Sequence, residues 1–316
     1  MTSRPSRRAR PYPAPFGAVR ALWVAALLVL AACAPPPVPD APRTDGAAAI
    51  RMASYNVHFV DLRDAPNPHW TPERWHERRG ALVQVVRGLD ADLIALQELE
   101  GHDDRRSRPD LRLDWILEAM PGYRVAAAEF AGGVTPGQPI LYRDAAFALL
   151  DAGFAFYDDP DASLQSLRAF AGYPDVVTWA RLRHRESGRR LTVFNVHLHF
   201  LDAGQRLRSA QQVIALAQAA QARGDAVFVL GDFNARRNSR TLDLFREAGY
   251  RQAGPRGATF HLNTGLHLFG AIDHMLHDAR SAPLGPVAIV RRRPGGVWPS
   301  DHYPVVTDFR LTAQAP

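Results

Sequence analysis

Ala226-Val-Phe-Val-Leu230 is a run of five apolar residues, mostly β-branched or aromatic. Such a run predicts a strand buried on both faces. It stops at Gly231, and Asp232 and Asn234 follow at once. Residues two apart on an extended chain point the same way, so both polar groups are expected to face one cavity. An Asx turn, with both side chains spent on local backbone, is the alternative reading of the same residues.

The pattern repeats along the chain. Ile50 to Val57 reads as a strand containing Asn56, with His58 just beyond it, and Asp92 to Gln97 as a strand ending on Glu98. Between them Thr71-Pro72-Glu73 supplies a capping hydroxyl, a proline for the first helical position and an early acid. Trp75, Leu82, Val86 and Leu89 then recur at helical spacing. Asp110 to Met120 predicts a helix closed by Pro121-Gly122. Strands are expected over 123–130, 139–143, 146–157, 175–183 and 190–199, with a hairpin turn at Glu186-Ser-Gly188. Ala203 to Ala222 is amphipathic and ends at Gly224, and a shorter helix from Arg240 to Ala248 has Ser239 as its cap. Gly270 to Leu276 and Pro299 to Val305 set acids and histidines beside apolar strand residues. No internal repeat or domain break is visible from Arg51 to Leu311.

Composition changes the picture at the N-terminus. The formal net charge of +6 includes Arg4, Arg7, Arg8, Arg10 and Arg20, which no acid accompanies before Cys33. Without those five the remainder carries 33 basic and 32 acidic residues, a net of +1. A strongly basic nucleic-acid-binding body is therefore not indicated. The basic start, the apolar run Ala21 to Leu30 and the small residues after it form a secretory signal pattern. That run is too short for an ordinary transmembrane helix. Leu30-Ala-Ala-Cys33 resembles the lipobox of bacterial lipoproteins, which implies cleavage before Cys33 and a lipid anchor on its sulfur. The expected organisation is a signal peptide over 1–32, a Pro/Ala-rich tether over 33–49 and a catalytic domain over 50–313. No fixed structure is expected in the tether. The expected location is the cell envelope.

Asn56, Glu98, Asp232, Asn234, Asp273, Asp301 and His302 all sit at or beside predicted strand ends. Phosphate hydrolysis needs positive charge, a base for water and a positioned donor, and oxygen ligands suit Mg²⁺. The motifs Ser54-Tyr-Asn-Val57, Leu96-Gln-Glu98, Phe194-Asn-Val-His197, Gly231-Asp-Phe-Asn234, Ile272-Asp273 and Ser300-Asp-His302 occur in one order. In that order the chain resembles the endonuclease/exonuclease/phosphatase (DNase I-like) superfamily over nearly all of residues 51–311. The resemblance implies an α/β four-layer sandwich, two packed, mostly antiparallel sheets flanked by helices. It implies Glu98 as the main ligand of Mg²⁺ (or Mn²⁺), with Asn56 beside it and Asp301 as a further ligand. Asp232 would bind or deprotonate the attacking water, and Asn234 would hold a phosphate oxygen or orient Asp232. His302 would contact the phosphate and act in acid–base chemistry, Asp273 would orient it, and His197 would add a phosphate contact.

Two positions depart from the family's pattern. His58 stands where some of its nucleases carry a metal-binding aspartate, and Glu100 where DNase I-like enzymes carry an arginine. The expected activity is hydrolysis of a phosphodiester or phosphomonoester by a monomer. The alternatives are a nuclease of the same superfamily and a catalytically idle binding module. A near-neutral body makes nucleic acid a less favoured partner. His274 and His277 read as structural or solvent-facing, His199 as either a pocket residue or a capped strand end. Arg143 and Arg291 to Arg293 read as solvated, and Trp298 as either a pocket wall or packing.

Overall fold

The structure, a computed structural model, describes residues 43–44, 49–61, 71–99, 101–102, 111–128, 137–157 and 176–312. All of these belong to one compact unit, Pro39–Pro316. The leader, Cys33, the first part of the tether and Glu100 lie outside the described residues.

The strands in chain order are β1 (Ala49–Asn56), β2 (Val60–Asp61), β3 (Leu93–Gln97), β4 (Gly101–His102), β5 (Tyr123–Ala126), β6 (Ile140–Arg143), β7 (Phe147–Phe156) and β8 (Val176–His184). There follow β9 (Arg190–His197), β10 (Ala226–Asp232), β11 (Arg251–Ala253), β12 (Asp273–His277), β13 (Ser281–Pro283), β14 (Ala288–Ile289) and β15 (Val305–Leu311). The helices are α1 (Pro72–Gly88), α2 (Leu111–Ala119), α3 (Ala203–Ala222) and α4 (Arg240–Glu247). Thr71, Asp202 and Ser239 cap α1, α3 and α4 by accepting from the backbone N–H three residues on.

One sheet has the order β13-β15-β1-β3-β6-β5, with β14 also on β15, and the other β11-β12-β10-β9-β8-β7. Each contains one parallel pair, β1 with β3 and β9 with β10, and is otherwise antiparallel. Three apolar layers explain the stacking. Ile50, Met52, Leu93, Val193, Phe228, Leu230 and Met275 fill the seam between the sheets. Tyr55, Leu96, Leu82, Val86 and Ile116 join the first sheet to α1 and α2. Val227, Val229, Phe194, Val213 and Phe245 join the second sheet to α3 and α4. Strands covered on both faces need apolar residues on both, which is why β10 is a continuous apolar run. Burying one side chain such as Phe228 contributes about 1.5–3 kcal/mol. The four layers match the expected sandwich.

Three local expectations are corrected. The closing strand is β15, so Pro299 to Pro304 is a loop that carries Ser300, Asp301 and His302 to the sheet end. β10 runs through Gly231 to Asp232 rather than stopping at the glycine. The last part of the tether is tied down: Arg43 pairs with Asp92 at 2.5 Å, and Thr44 N–H donates to Asp308 at 2.7 Å. Asp92 and Asp308 are buried carboxylates, which require such partners.

Beneath one end of the seam lies a polar tie. Gln97 Nε2 donates to Asn195 Oδ1 at 2.7 Å, and Asn195 Nδ2 donates to the Leu96 carbonyl at 2.7 Å. Both side chains are fully buried. Asn195→Ala takes one acceptor from the Gln97 amide, which keeps the Ser54 hydroxyl and the Ala95 carbonyl, and removes the side-chain donor to the Leu96, Gln138 and Pro139 carbonyls. The expected loss is about 1–3 kcal/mol, read as a lower urea midpoint at unchanged slope. An unchanged midpoint would show that the tie contributes nothing net.

Candidate functional site

Strand parity builds the site. Ile50 and Met52 face the seam, so Ser54 and Asn56 do too. The same count carries Leu93 and Ala95 on to Gln97, Leu191 and Val193 on to Asn195 and His197, and Phe228 and Leu230 on to Asp232. Asp273 opens β12 two residues before the seam-facing Met275. Core positions thus become polar where each strand leaves the sandwich.

Glu98 breaks the parity, since it follows a seam-facing residue. Its φ of 56° turns the chain so that its carboxylate returns to the seam. There Oε1 accepts from Asn56 Nδ2 at 2.9 Å and Oε2 from Phe59 N–H at 3.0 Å. Asn56 Nδ2 also donates to Asp232 Oδ2 at 3.2 Å, and Asn56 Oδ1 accepts from His58 N–H at 3.0 Å. His197 Nε2 lies 3.7 Å from both Glu98 Oε1 and Asp232 Oδ2. His302 Nε2 lies 3.7 Å from Asp232 Oδ2, and its Nδ1 is 3.0 Å from Asp273 Oδ2. Asp301 stands 3.6 Å from His58 Nδ1. The Ser300 hydroxyl fixes this loop, donating to the Asn56 carbonyl at 2.7 Å and accepting from His302 N–H at 3.1 Å.

The structure therefore brings Asn56, Glu98, His197, Asp232, Asp273, Asp301 and His302 into one contact network. Asn234 joins it differently from the extended-chain expectation. Its φ is 45°, its side chain donates to the Leu198 carbonyl at 2.8 Å, and its N–H donates to Asp232 Oδ1 at 2.8 Å. This is the Asx turn of the alternative reading, and it orients Asp232. Asn56 presents its NH₂, not its oxygen, to the two carboxylates. It clamps them together, and to ligate a cation it would have to turn over and give up the His58 bond.

Charge is uneven across the cluster. Burial works to raise the Glu98 carboxyl, but the imidazoles of His197 and His58 and the Asn56 bond outweigh it and hold it at about 2. Burial and the neighbouring Asp273 lift Asp232 to about 6, against the pull of His302 and His197. Burial disfavours charge on His302, yet Asp273 and Asp232 raise it well above the usual imidazole range. Asp232, Asp273 and His302 also offer ligand atoms within 4.8 Å of one another, a buried group that could hold a metal ion.

The strand-end survey missed the segment Thr259 to His261. Thr259 Oγ1 accepts from the N–H groups of Ile272 and Asp273, and Phe260 bridges to His302 with ring centroids 4.9 Å apart. His261 stacks on Tyr303 at 4.1 Å, and burial, then His302, pushes it down to about 3. No periodic signal marks these residues. Other polar residues fall outside the cluster. His274 bonds Gln252 and the Ala235 carbonyl, and His277 bonds the Asp278 carbonyl. His199 accepts from Leu201 and Asp202 N–H, as a capped strand end. Arg143 pairs with Asp90 and Asp92, Arg291 lies over Tyr303, and Arg293 over Trp298. A cavity of about 650 Å³ at the other end of β9 and β10, lined by Arg183, Arg190 and Arg280, contains none of the candidate residues.

The molecule is thus an α/β sandwich with a buried acid–base cluster where several strand ends meet. Its sequence matches the Endonuclease/Exonuclease/phosphatase family over residues 53–302, and the chain belongs to that family, whose members are hydrolases acting on phosphoesters. It is similar to an endonuclease/exonuclease/phosphatase family protein from Bacteroides thetaiotaomicron, at 20% identity and a TM-score of 0.68, covering 84% of this chain and 99% of that one. It is similar to a mannosyl-6-phosphatase of Bacteroides thetaiotaomicron VPI-5482, at 21% identity and 0.65, covering 83% and 100%. It is similar also to D. rerio TDP2 complexed with single strand DNA product, at 16% identity and 0.59, covering 84% and 100%. At these identities the likeness shows the fold. No curated protein matches the sequence.

Proposed function

We propose that the chain is an exported, membrane-tethered, Mg²⁺-dependent phosphoesterase that uses water as its nucleophile. The observation that carries this reading is Asp232, held between His197 and His302 and facing an ionised Glu98. A carboxyl at about 6 is mostly ionised at neutral pH and still basic enough to take a proton from water. Asn234 N–H holds Oδ1, and Oδ2, which accepts from Asn56, is the oxygen turned toward His197 and His302. The water oxygen bonds to phosphorus, its proton passes to Asp232, and the phosphorus–oxygen ester bond breaks. The leaving oxygen is protonated by solvent, which reaches a mouth where His197 is 27% exposed. His302, charged and steadied by Asp273, stabilises the phosphoryl oxygens.

The donor chemistry fits a hard divalent cation. Glu98, Asp232, Asp273 and Asp301 outnumber the imidazoles of His58, His197 and His302, and none of these site residues is a cysteine. Glu98 and Asp301 would hold Mg²⁺, or Mn²⁺ in its place, with Asn56 as a ligand only after turning over. We place the cation there rather than on Asp232, Asp273 and His302, because a charged imidazole offers no lone pair. Bound there, the cation would supply positive charge against the phosphoryl oxygens.

The test is a screen of lipid headgroup, inositol phosphate, nucleotide and nucleic acid substrates, with Mg²⁺ and with EDTA. Turnover in at least one class, lost in EDTA and in Asp232→Ala, is expected. Turnover equal in all four conditions would be a contaminant's and would end the reading. For the tether, globomycin treatment of the producing cell should accumulate a larger precursor. Unchanged processing of Cys33→Ser would favour ordinary secretion.

A further inference from the structure

Nine large apolar side chains are exposed among the described residues, and their placement is not even. Phe200 and Leu201, 68% and 75% exposed, follow His197 where β9 leaves the site. Leu262, Leu266, Leu268 and Phe269 occupy the loop between β11 and β12, which ends at Asp273. That loop is joined to the catalytic cluster, since Phe260 packs on His302 at 4.9 Å and on Phe269 at 6.2 Å. So six of the nine stand in two loops, one leaving His197 and the other packed on His302 through Phe260, the two imidazoles that flank Asp232. Single exposed apolar residues need no explanation, but a group gathered at the mouth of a site marks a surface that is covered in use.

We propose that this rim seats on a lipid bilayer and that the substrate is an amphiphile, a phosphoester carrying acyl chains and presented in that surface. The inference rests on the phosphoesterase reading and names its substrate class. Charge agrees with it: Arg236 and Arg237, both exposed, follow Asn234 at the same mouth, an arrangement that suits the phosphate level of a membrane. Asp202 is the exposed acid nearest in sequence to Phe200 and Leu201, and it is engaged by Gln205 N–H as a helix cap. Chain length agrees as well. Arg43 is tied to Asp90 and Asp92, at the end of β3 remote from Glu98. The ten residues from Cys33 up to that point could span at most about 31 Å at ~3.1 Å per residue. The eight-residue strand β1 spans about 26 Å at ~3.3 Å per residue. That reach exceeds the length of β1, as a lipid on Cys33 sharing one surface with the rim would require.

The experiment uses the full chain in neutral-detergent micelles and two substrates: phosphatidylcholine mixed into the micelle, and a water-soluble bis-aryl phosphodiester. The variants are Phe200→Ser with Leu201→Ser, and Leu266→Ser with Leu268→Ser. Each pair should lower the rate on phosphatidylcholine tenfold or more and leave the soluble diester within about twofold. Thermal melts matching the parent confirm that each pair folds, and the two loops serve as independent trials. A parent that cleaves the soluble diester but no phospholipid overturns the proposal and leaves the phosphoesterase reading standing. Equal losses on both substrates, or unchanged lipid rates, overturn it too. So does a parent dimer that the substitutions dissolve, since the rim would then cover a second copy. No metal-dependent turnover of either substrate by the parent sinks the underlying reading itself.

Discussion

Asp232→Asn should lower kcat by about 10²-fold or more, and added Mg²⁺ should not restore it. The amide keeps the volume and its one oxygen can still accept from the Asn234 N–H, but its NH₂ then faces the Asn56 NH₂ and it cannot accept water's proton. Glu98→Gln should fail in another way. It removes the charge that suits a hard cation, so the Mg²⁺ requirement should rise, with partial recovery at high metal. His302→Ala should lower kcat as well, because charge developing on the phosphoryl oxygens loses its partner. Rates for the parent and these variants, with a metal titration of each, separate the roles. A binding module would show no metal-dependent turnover in the parent and would retain ligand in Asp232→Asn. Identical metal titrations for Glu98→Gln and Asp232→Asn would remove the distinction between ligand and base.

Gly231→Ala should be the most damaging single change to the fold. Gly231 has a φ of 149°, and a Cβ there would stand 1.9 Å from the Val196 carbonyl oxygen. That contact is backbone against backbone across the β9–β10 parallel pair, so no side chain can swing away. Strain plus overpacking should cost about 3 kcal/mol or more, read in urea melts or as loss of soluble protein. A parent-like midpoint would mean that β9 and β10 can separate locally. Asp232 and His197 are the next facing pair on these strands, so a tolerated alanine should still disturb catalysis.

The sequence carried the site further than the topology. Asn56 and Asp232 were legible as polar groups where apolar strands end, and His197 through the motif Phe194-Asn-Val-His197 alone. Ser300 to His302 was legible as a motif. That β15 lies against β1 was not, because pairing between residues some 250 positions apart leaves no local trace. The backbone at Glu98 and Asn234 was not legible either. Left-handed φ at a non-glycine residue is imposed by surroundings, and at Asn234 it reversed the inference drawn from extended geometry. Gln97 and Asn195 stood inside motifs without a role, since a buried amide pair is recognised only once both strands are placed.

That amide pair has a consequence for how such an enzyme can change. Asn56 belongs to one sheet and Glu98 follows directly on its β3, whereas His197, Asp232 and Asp273 belong to the other. The working gap between Glu98 and Asp232 is therefore a clearance between two separately laddered plates, and Gln97 with Asn195 acts as the spacer that gauges it. A substitution that lets the plates slide would widen this clearance on every substrate alike. Loops beyond the strand ends can be exchanged without touching the gauge. Drift in specificity should accumulate in the loops after β9 and before β12, while the spacer stays fixed.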